Sequence, residues 1–237
     1  GRKLFYDRRL PRHGTFSCAM CHVPAQGFTS NELTTSVGIE GRTVRRNAPT
    51  IYNVAYAEHL FHDARESRLE QQVWGPLLAF NEMGNPSVGF VIDGIRAHRD
   101  YDGLFEAAFD GRGPGMETLG MALAAYERTL VSGGSPFDRW RYGGDETALS
   151  AEAKRGFEVF AGKGGCAGCH LAGEPYALFT DHGLHDTGIG YREPRESAGA
   201  RPRIQIAPGE FVELHPDAGS LPTPGADLGR YEITGDP

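Results

Sequence analysis

The chain has 237 residues, of which 39% are hydrophobic and a further 33 are glycine, a composition typical of globular proteins that excludes disorder throughout. Its formal net charge is −7 and it contains no block rich in lysine and arginine, so we expect no nucleic-acid-binding surface. No apolar run approaches the ~18 residues needed to cross a bilayer, so we expect no membrane span.

The predicted elements of the first half are mainly helical. Residues 1–5 predict a short lead helix, in which Gly1 and Phe5 are four residues apart. A capping box at Ser67-x-x-Glu70 predicts a helix that Pro76 should kink or end. Serine at position 87 predicts the start of a helix that continues to about residue 98, and the spacing of apolar residues predicts another helix from residue 116 to residue 131.

A glycine-rich stretch at residues 143–145 predicts the boundary between two domains, residues 1–143 and 144–237. After it, Ser150 predicts the N-cap of a second lead helix, in which Gly156 and Phe160 repeat the spacing of the first. This similarity favours a degenerate internal repeat, and two unrelated amphipathic helices are the alternative. Beyond residue 188 the chain is rich in proline, glycine and charge, has few alternating runs and has no predicted core of its own.

All four cysteines lie in two copies of one motif, Cys-x-x-Cys-His. The copies are Cys18, Cys21 and His22, and Cys166, Cys169 and His170. Two thiols at this spacing can each bond one vinyl group of a porphyrin, and the next histidine can then bind the iron. A redox-active thiol pair, a zinc site or structural disulfides would explain neither the adjacent histidine nor the use of every cysteine in the same pattern. The sequence therefore predicts two covalently bound c-type haems, with the residues after position 188 wrapped around the second haem or lying between the domains.

Covalent haem attachment also predicts the compartment. It takes place outside the bacterial cytoplasm, so we expect a periplasmic protein or one at the outer cell surface. We expect that a signal peptide absent from this sequence has been removed, since the chain opens inside a predicted helix.

Several further motifs, in order, resemble the bacterial diheme cytochrome c peroxidase and MauG family. They lie at residues 46–50, 61–65, 69–72, 75–76 and 81–83 after the first haem motif, and at residues 179–181, 184–188 and 229–236 after the second. The resemblance covers nearly the whole chain. It implies a mainly α fold of two cytochrome c-like haem domains with long Gly/Pro-rich loops, in which the first haem is peroxidatic and the second transfers electrons.

The resemblance also implies roles for individual residues. Glu82 lies where the family has its distal glutamate, and Asn47 lies where it has a ligand of a calcium ion. The apolar neighbours Phe80 and Met83 predict a raised pKa for Glu82, which suits a group that takes a proton from peroxide and returns it to the departing oxygen. The alternative is that Glu82 only caps its loop.

The position of the tryptophan that lies between the haems in most of the family is occupied here by His62. An imidazole could shuttle protons, bond a haem propionate or relay electrons, and a surface or propionate-bound position is an equal alternative. Trp74 could replace the missing bridge, but its helical spacing from Leu77 and Leu78 favours a place in the core.

Two other departures concern the iron ligands. Some members of the family plug the resting peroxidatic haem with a histidine where this chain has Ile39, so we expect that haem to be vacant or water-bound. No methionine follows the second haem motif; the four are Met20, Met83, Met116 and Met121. An unseen C-terminal stretch is expected to supply the sixth ligand and the remaining calcium ligands; local candidates for that sixth ligand are His182, His185, Tyr176 and Tyr191.

The resemblance thus implies an oxidoreductase that reduces hydrogen peroxide at the first haem. Electrons would enter through the second haem from a small cytochrome or copper protein, or from the oxidation of a partner protein as in MauG-like members. The alternative is a non-enzymatic diheme electron-transfer cytochrome c.

Overall fold

The computed structural model describes residues 1–33, 35–188, 190, 203–207, 210–213 and 227–235. This part of the chain is mainly helical. The α-helices that lie wholly within these ranges are α1 (Arg2–Phe5), α2 (Cys18–Cys21), α3 (Leu69–Gln72), α4 (Trp74–Leu78), α5 (Val88–Arg96), α6 (Leu104–Ala108), α7 (Met116–Glu127), α8 (Pro136–Arg141), α9 (Ala151–Ala161) and α10 (Tyr231–Thr234). Short 3₁₀ helices lie at Pro24–Gln26, Ile39–Gly41, Val54–Tyr56, Arg99–Tyr101 and Cys166–Gly168.

Helix α7 is central to the first half, because α1 and α3 both pack against it. Two glycines allow the backbones to meet directly. A Cβ atom at Gly120 would lie 2.3 Å from the carbonyl oxygen of Glu70, and one at Gly1 would lie 2.0 Å from that of Ala122. The most deeply buried apolar side chains gather around these contacts: Leu4, Phe5, Leu77, Leu119 and Leu123.

The described part of the second half is held together by aromatic rings. These rings belong to Phe137, Trp140, Phe157, Phe160 and Phe179, which come from α8, α9 and the loop after the second cysteine motif. Neighbouring ring centroids lie 5.1–5.9 Å apart. These distances are typical of favourable aromatic pairs.

Two predicted helix starts are confirmed. The Oγ atom of Ser87 accepts a hydrogen bond of 3.1 Å from the backbone N–H of Phe90, and that of Ser150 accepts one of 3.2 Å from Ala153. Each serine thereby satisfies a free N–H in the first turn of its helix. The helix predicted from residue 116 also begins there, although it ends at Glu127 rather than at residue 131.

The predicted capping box at Ser67 is wrong. Helix α3 begins after Arg68 without a side-chain cap. The adjacent carboxylate of Glu66 instead accepts hydrogen bonds from the backbone N–H groups of Ser67 and Arg68, at 2.8 and 3.1 Å. The predicted effect of Pro76 is confirmed, since the helix is interrupted between α3 and α4 and proline has no N–H to donate to the preceding turn.

The sequence did not predict the one sheet within the described residues. Strands β1 (Arg203–Ala207) and β2 (Glu210–Glu213) form an antiparallel pair in which Ile204 lies opposite Val212. The segment beyond residue 188 therefore contains local structure of its own. No described helix has both the length and the apolar character needed to cross a membrane.

Candidate haem site

The first cysteine motif opens onto a cavity of about 830 Å³. Cys18, Cys21 and His22 line it together with Glu82, on the loop that follows α4. The other two predicted site residues of the first half, Asn47 and His62, also line it. Residues of the second half complete the wall: Leu178, Phe179, Thr180, His182, Gly183, Leu184 and Glu232.

The ring of His22 is fixed through one nitrogen. Its Nδ1 atom donates a hydrogen bond of 2.9 Å to the carbonyl oxygen of Phe28, a residue held at φ 56°. Burial lowers the pKa of His22, which favours the neutral imidazole, and with its proton on Nδ1 the ring carries the metal-binding lone pair on Nε2. This is the state required of a proximal haem ligand.

The second motif repeats this construction. The Nδ1 atom of His170 donates a hydrogen bond of 3.0 Å to the carbonyl oxygen of Phe179, which also has a positive φ of 55°. In each half the phenylalanine of the lead helix contacts the one that supplies the carbonyl: Phe5 lies 6.2 Å from Phe28, and Phe160 lies 5.9 Å from Phe179. The two halves therefore share this local arrangement, which agrees with the predicted internal repeat.

The cysteines themselves fit haem attachment better than the other chemistries. None of the four forms a disulfide. Burial raises the pKa of Cys18 and of Cys21, the opposite of what activates a redox thiol. A volume of about 830 Å³ lies within the ~300–1,000 Å³ typical of ligand pockets. The first cavity therefore fits a porphyrin bound by Cys18, Cys21 and His22.

The second motif is more open. Cys166, Cys169 and His170 are exposed, and the ring of Phe160 lies 6.4 Å from that of His170. In the described ranges, one cluster of three side chains could hold a metal ion, Cys169 with Asp181 and His185. Since Cys169 belongs to the haem motif, this cluster is not a separate site.

The local candidates for a sixth ligand of the second haem lie in different surroundings. His185 is hydrogen-bonded through Nε2 to Asp181 at 2.9 Å, and Tyr176 is exposed. His182 lines the first cavity instead. Tyr191 lies outside the described residues.

Glu82 is half-buried at the wall of the first cavity. Burial raises the pKa of its carboxyl group, and the positive charge of Arg65 opposes part of that shift. The predicted direction is confirmed, but one part of its expected cause is wrong. Phe80 is 71% exposed and packs against the guanidinium of Arg42, 5.5 Å from its ring centroid, whereas Met83 is buried as expected.

Ile39, at the position of the plug histidine in some relatives, supports the Glu82 loop. Its side chain is 2% exposed, and its N–H donates a hydrogen bond of 2.8 Å to the carbonyl oxygen of Glu82. The preceding Gly38 lies so close to this loop that a Cβ atom there would be 2.1 Å from the carbonyl oxygen of Asn81. The segment is therefore packed into the wall of the cavity.

Asn47 and His62 lie together at the cavity edge. The exposed His62 forms a hydrogen bond of 3.0 Å between its Nε2 atom and the carbonyl oxygen of Asn47. The side chain of Asn47 accepts a hydrogen bond of 2.9 Å from the N–H of Ala48 and donates one of 2.5 Å to the carbonyl oxygen of Ser30. Trp74 is buried in the core, as its spacing predicted.

Sequence reasoning missed two charged residues of the cavity. The guanidinium carbon of Arg65 lies 3.4 Å from the ring centroid of Phe61. The positive charge of Arg65 lowers the pKa of Glu82. Glu127 on α7 is only 8% exposed, and burial raises its pKa to about 7. The periodicity of the helix did not identify Glu127 as buried, because a glutamate in an amphipathic helix is normally expected on the solvent-exposed face.

A mainly helical chain with two Cys-x-x-Cys-His loops, each presenting a histidine whose Nδ1 atom is bonded to a backbone carbonyl, belongs to the class of diheme c-type haem proteins. Residues 1–147 match the family described as di-haem cytochrome c peroxidase. The chain belongs to this family, which implies two c-type haems.

Curated relatives of the chain belong to the same family. The chain is 43% identical over 190 residues to the methylamine utilization protein MauG of Methylorubrum extorquens, covering 80% of this chain and 52% of that protein. It is 35% identical over 185 residues to the cytochrome c551 peroxidase of Pseudomonas aeruginosa, covering 76% and 52% respectively. The chain spans about half the length of the curated relatives it matches.

Two crystal structures resemble it over most of its length. A MauG-like protein associated with microbial copper homeostasis matches with a TM-score of 0.73 and 28% identity, over 100% of this chain and 64% of that one. The diheme peroxidase BthA from Burkholderia thailandensis matches with a TM-score of 0.69 and 25% identity, over 82% and 56%.

Proposed function

We propose that the protein is a periplasmic diheme peroxidase that reduces hydrogen peroxide at the site formed by Cys18, Cys21 and His22. The observation that carries this proposal is the presence of Glu82, a carboxyl group with a raised pKa, in the same cavity as the neutral His22. A haem bound there would supply an iron that binds peroxide and delivers electrons to it. The overall reaction converts one peroxide, two protons and two electrons into two water molecules.

The part of the chain's own residues is proton transfer and orientation. An ionised Glu82 accepts the proton of the nearer peroxide oxygen and returns it to the departing oxygen. Arg65 opposes part of the effect of burial on Glu82 and so favours the ionised form, which acts as the base. The carbonyl oxygen of Phe28 holds the imidazole of His22, which would bind the haem iron, in one orientation.

Electrons would reach the first site from the second, formed by Cys166, Cys169 and His170. Phe179 supports a route between the two sites. Its carbonyl oxygen accepts the hydrogen bond of His170, and the residue also lines the first cavity. The electron source in this proposal is a small cytochrome or copper protein, or a partner protein that is itself oxidised. The two sites define the proposed domains, residues 1–143 and 144–237.

Three finer roles belong to the same proposal. Ile39 cannot bind iron, so the resting first haem is vacant or water-bound. His62 acts at the edge of the cavity as a proton shuttle or propionate contact, next to Asn47. The carbonyl group of the Asn47 side chain contributes to a calcium site.

The test is the reaction of the diferric holoprotein with peroxide, followed by stopped-flow absorption. Replacing Glu82 by glutamine keeps its shape but removes the base, so we expect the Glu82→Gln variant to react at least ~10²-fold more slowly. The wild-type rate should rise with pH through an inflection above 4.5, the ordinary pKa of glutamate, because only the ionised form accepts a proton. Glu82→Gln should lack that inflection.

Glu117→Gln is the matched control, since Glu117 is an exposed carboxylate on α7 that pairs with Arg112 at 3.2 Å, outside the cavity. It should react like the wild type. An unchanged rate in Glu82→Gln would remove Glu82 from the mechanism. A holoprotein that is inert towards peroxide would instead identify a diheme electron-transfer cytochrome.

A further inference from the structure

Five aromatic side chains from distant parts of the sequence form a continuous group beside the first cavity. They are Phe5, Tyr6, Phe28, Tyr52 and Tyr126. Phe5 lies at the centre of the group; it is 1% exposed, lines the cavity and has ring centroid distances of 5.2 Å to Tyr126 and 5.3 Å to Tyr6. A single buried ring thus separates the haem cavity from two tyrosines.

Those two tyrosines are bonded to each other. The hydroxyl group of Tyr126 donates a hydrogen bond of 3.2 Å to the hydroxyl oxygen of Tyr6, although the residues are 120 positions apart. Tyr126 is half-buried and Tyr6 is 39% exposed. The pair therefore connects the interior beside Phe5 with solvent.

The surroundings determine how this pair could be oxidised. Burial and the hydrogen bond to Tyr6 raise the pKa of Tyr126, so its phenol group is protonated at neutral pH. The guanidinium carbon of Arg2 lies 5.6 Å from the ring centroid of Tyr6, which disfavours a positive charge on that ring. Oxidation must then release the phenolic proton, and the hydroxyl of Tyr6 gives Tyr126 an acceptor that leads to solvent.

We propose that Tyr6 and Tyr126 form a one-electron oxidation site at the protein surface, linked to the haem cavity through Phe5. This inference rests on the proposed peroxidase function, which supplies hydrogen peroxide as the oxidant. Each tyrosine loses one electron and its phenolic proton and becomes a neutral tyrosyl radical. The two electrons and two protons convert one hydrogen peroxide into two water molecules.

Tyr52 is the competing candidate and supplies a control. It lines the cavity directly and lies 5.1 Å from Phe28 with the rings nearly perpendicular. Its hydroxyl group has no hydrogen-bond partner in the described portion of the chain, so no protein group is positioned to accept its proton as Tyr6 is for Tyr126. The geometry therefore favours the Tyr6–Tyr126 pair over Tyr52.

The experiment treats the diferric holoprotein with one equivalent of peroxide in the presence of a nitrone spin trap, and locates the adducts by peptide mass spectrometry. Rapid-freeze electron paramagnetic resonance of untrapped samples gives the yield of tyrosyl radical. The variants are Tyr6→Phe, Tyr126→Phe, the double variant and Tyr52→Phe, each of which removes only a hydroxyl group and keeps the packed ring. Absorption spectra of the haems before peroxide is added check that each variant is correctly folded.

We expect adducts on Tyr6 or Tyr126 in the wild type, with the tyrosyl signal reduced to background in the double variant and retained in Tyr52→Phe. A signal that survives the double variant, or that disappears in Tyr52→Phe, would overturn the inference while leaving the peroxidase proposal intact. If the haem spectrum does not respond to peroxide in any sample, the proposed function fails and this inference fails with it.

Discussion

Gly38 has a positioning role that only the folded chain reveals. A Cβ atom at this position would lie 2.1 Å from the carbonyl oxygen of Asn81 and 2.8 Å from the Cα atom of Glu82. Its φ of −95° is accessible to any residue, so glycine is needed here for space alone. The absent side chain lets the backbone before Ile39 lie directly on the loop that carries Glu82.

We therefore predict that Gly38→Ala displaces Glu82 and slows the reaction with peroxide by up to ~10²-fold, because small shifts of a reacting group are costly. The inflection of the rate with pH that is assigned to Glu82 should shift when Glu82 is displaced.

Both wild type and variant should keep a high-spin component in the resting diferric absorption spectrum, because no side chain at position 39 can bind iron.

Gly89→Ala serves as the control, since the nearest atom to its new Cβ is the hydroxyl oxygen of Ser87 at 3.8 Å. It should react with peroxide like the wild type. A Gly38→Ala protein that matches the wild type in rate and pH profile would rule out the positioning role.

The sequence predicted some of these residue-level features and not others. The raised pKa of Glu82 followed from its apolar neighbours, yet Phe80 turned outwards because it packs against Arg42, a residue 38 positions earlier. Arg65 could be placed in a motif but not beside Glu82, since that proximity depends on how two loops meet. Composition and spacing locate reactive side chains; the charges around them depend on the tertiary fold.

At the scale of elements, the contact between α3 and α7 depends on Gly120. The carbonyl oxygen of Glu70 would lie 2.3 Å from a Cβ atom at this position, and the same glutamate pairs with Arg128 at 2.6 Å. The two helices are thus joined by a close backbone approach and by an adjacent ion pair.

We predict that Gly120→Ala lowers the free energy of unfolding by about 1–3 kcal/mol, because the clash is with backbone and cannot be relieved by a side-chain rotation. The comparison is Gly94→Ala in α5, where nothing lies within 4 Å of the new Cβ atom. That variant should be stabilised by roughly 0.5–1 kcal/mol, because alanine favours a helix interior. Chemical denaturation of the two holoproteins measures both effects, and equal changes would contradict the assignment.

Local signals decided which elements could be predicted. The hydroxyl groups of Ser87 and Ser150 each accept an N–H group in the first turn of a helix, whereas at Ser67 the adjacent carboxylate of Glu66 accepts the N–H groups of Ser67 and Arg68 instead. The hairpin of β1 and β2 was missed because its strands are short and lie in a segment rich in turn-forming residues.

At the scale of the whole molecule, a network of ion pairs joins residues 227–235 to the loop at residues 45–64. Arg46 pairs with Asp227 and with Asp63, each at 2.6 Å, and Arg45 pairs with Glu232 at 2.6 Å. Arg230 adds hydrogen bonds to the carbonyl oxygens of Asp63 and Ala64. The hydrogen bond from Arg46 lowers the pKa of Asp227 to about 2.

We predict that Arg46→Ala lowers the free energy of local opening of residues 227–235 by about 2 kcal/mol, since it removes charged hydrogen bonds that are partly buried. Hydrogen-exchange mass spectrometry measures this as faster exchange in that segment. The depressed pKa of Asp227 means that its contribution is complete above pH 3.8 and is lost as the pH falls through about 2.

Arg99→Ala is the control, because Arg99 makes no ion pair in the structure as described, and it should leave exchange of the segment unchanged. Exchange in Arg46→Ala at the wild-type rate would show that the ion pairs do not hold the segment.

Residues between 178 and 184, which follow the second haem motif in the sequence, form part of the wall of the first haem cavity. Cutting the protein between its proposed domains would therefore leave the amino-terminal fragment with its porphyrin pocket open along one flank. Such a fragment would carry every residue of the first haem motif but would lack the residues between 178 and 184 that line the same cavity as Glu82. The wall of the first cavity is in this sense a joint property of both halves, built into the path of the polypeptide.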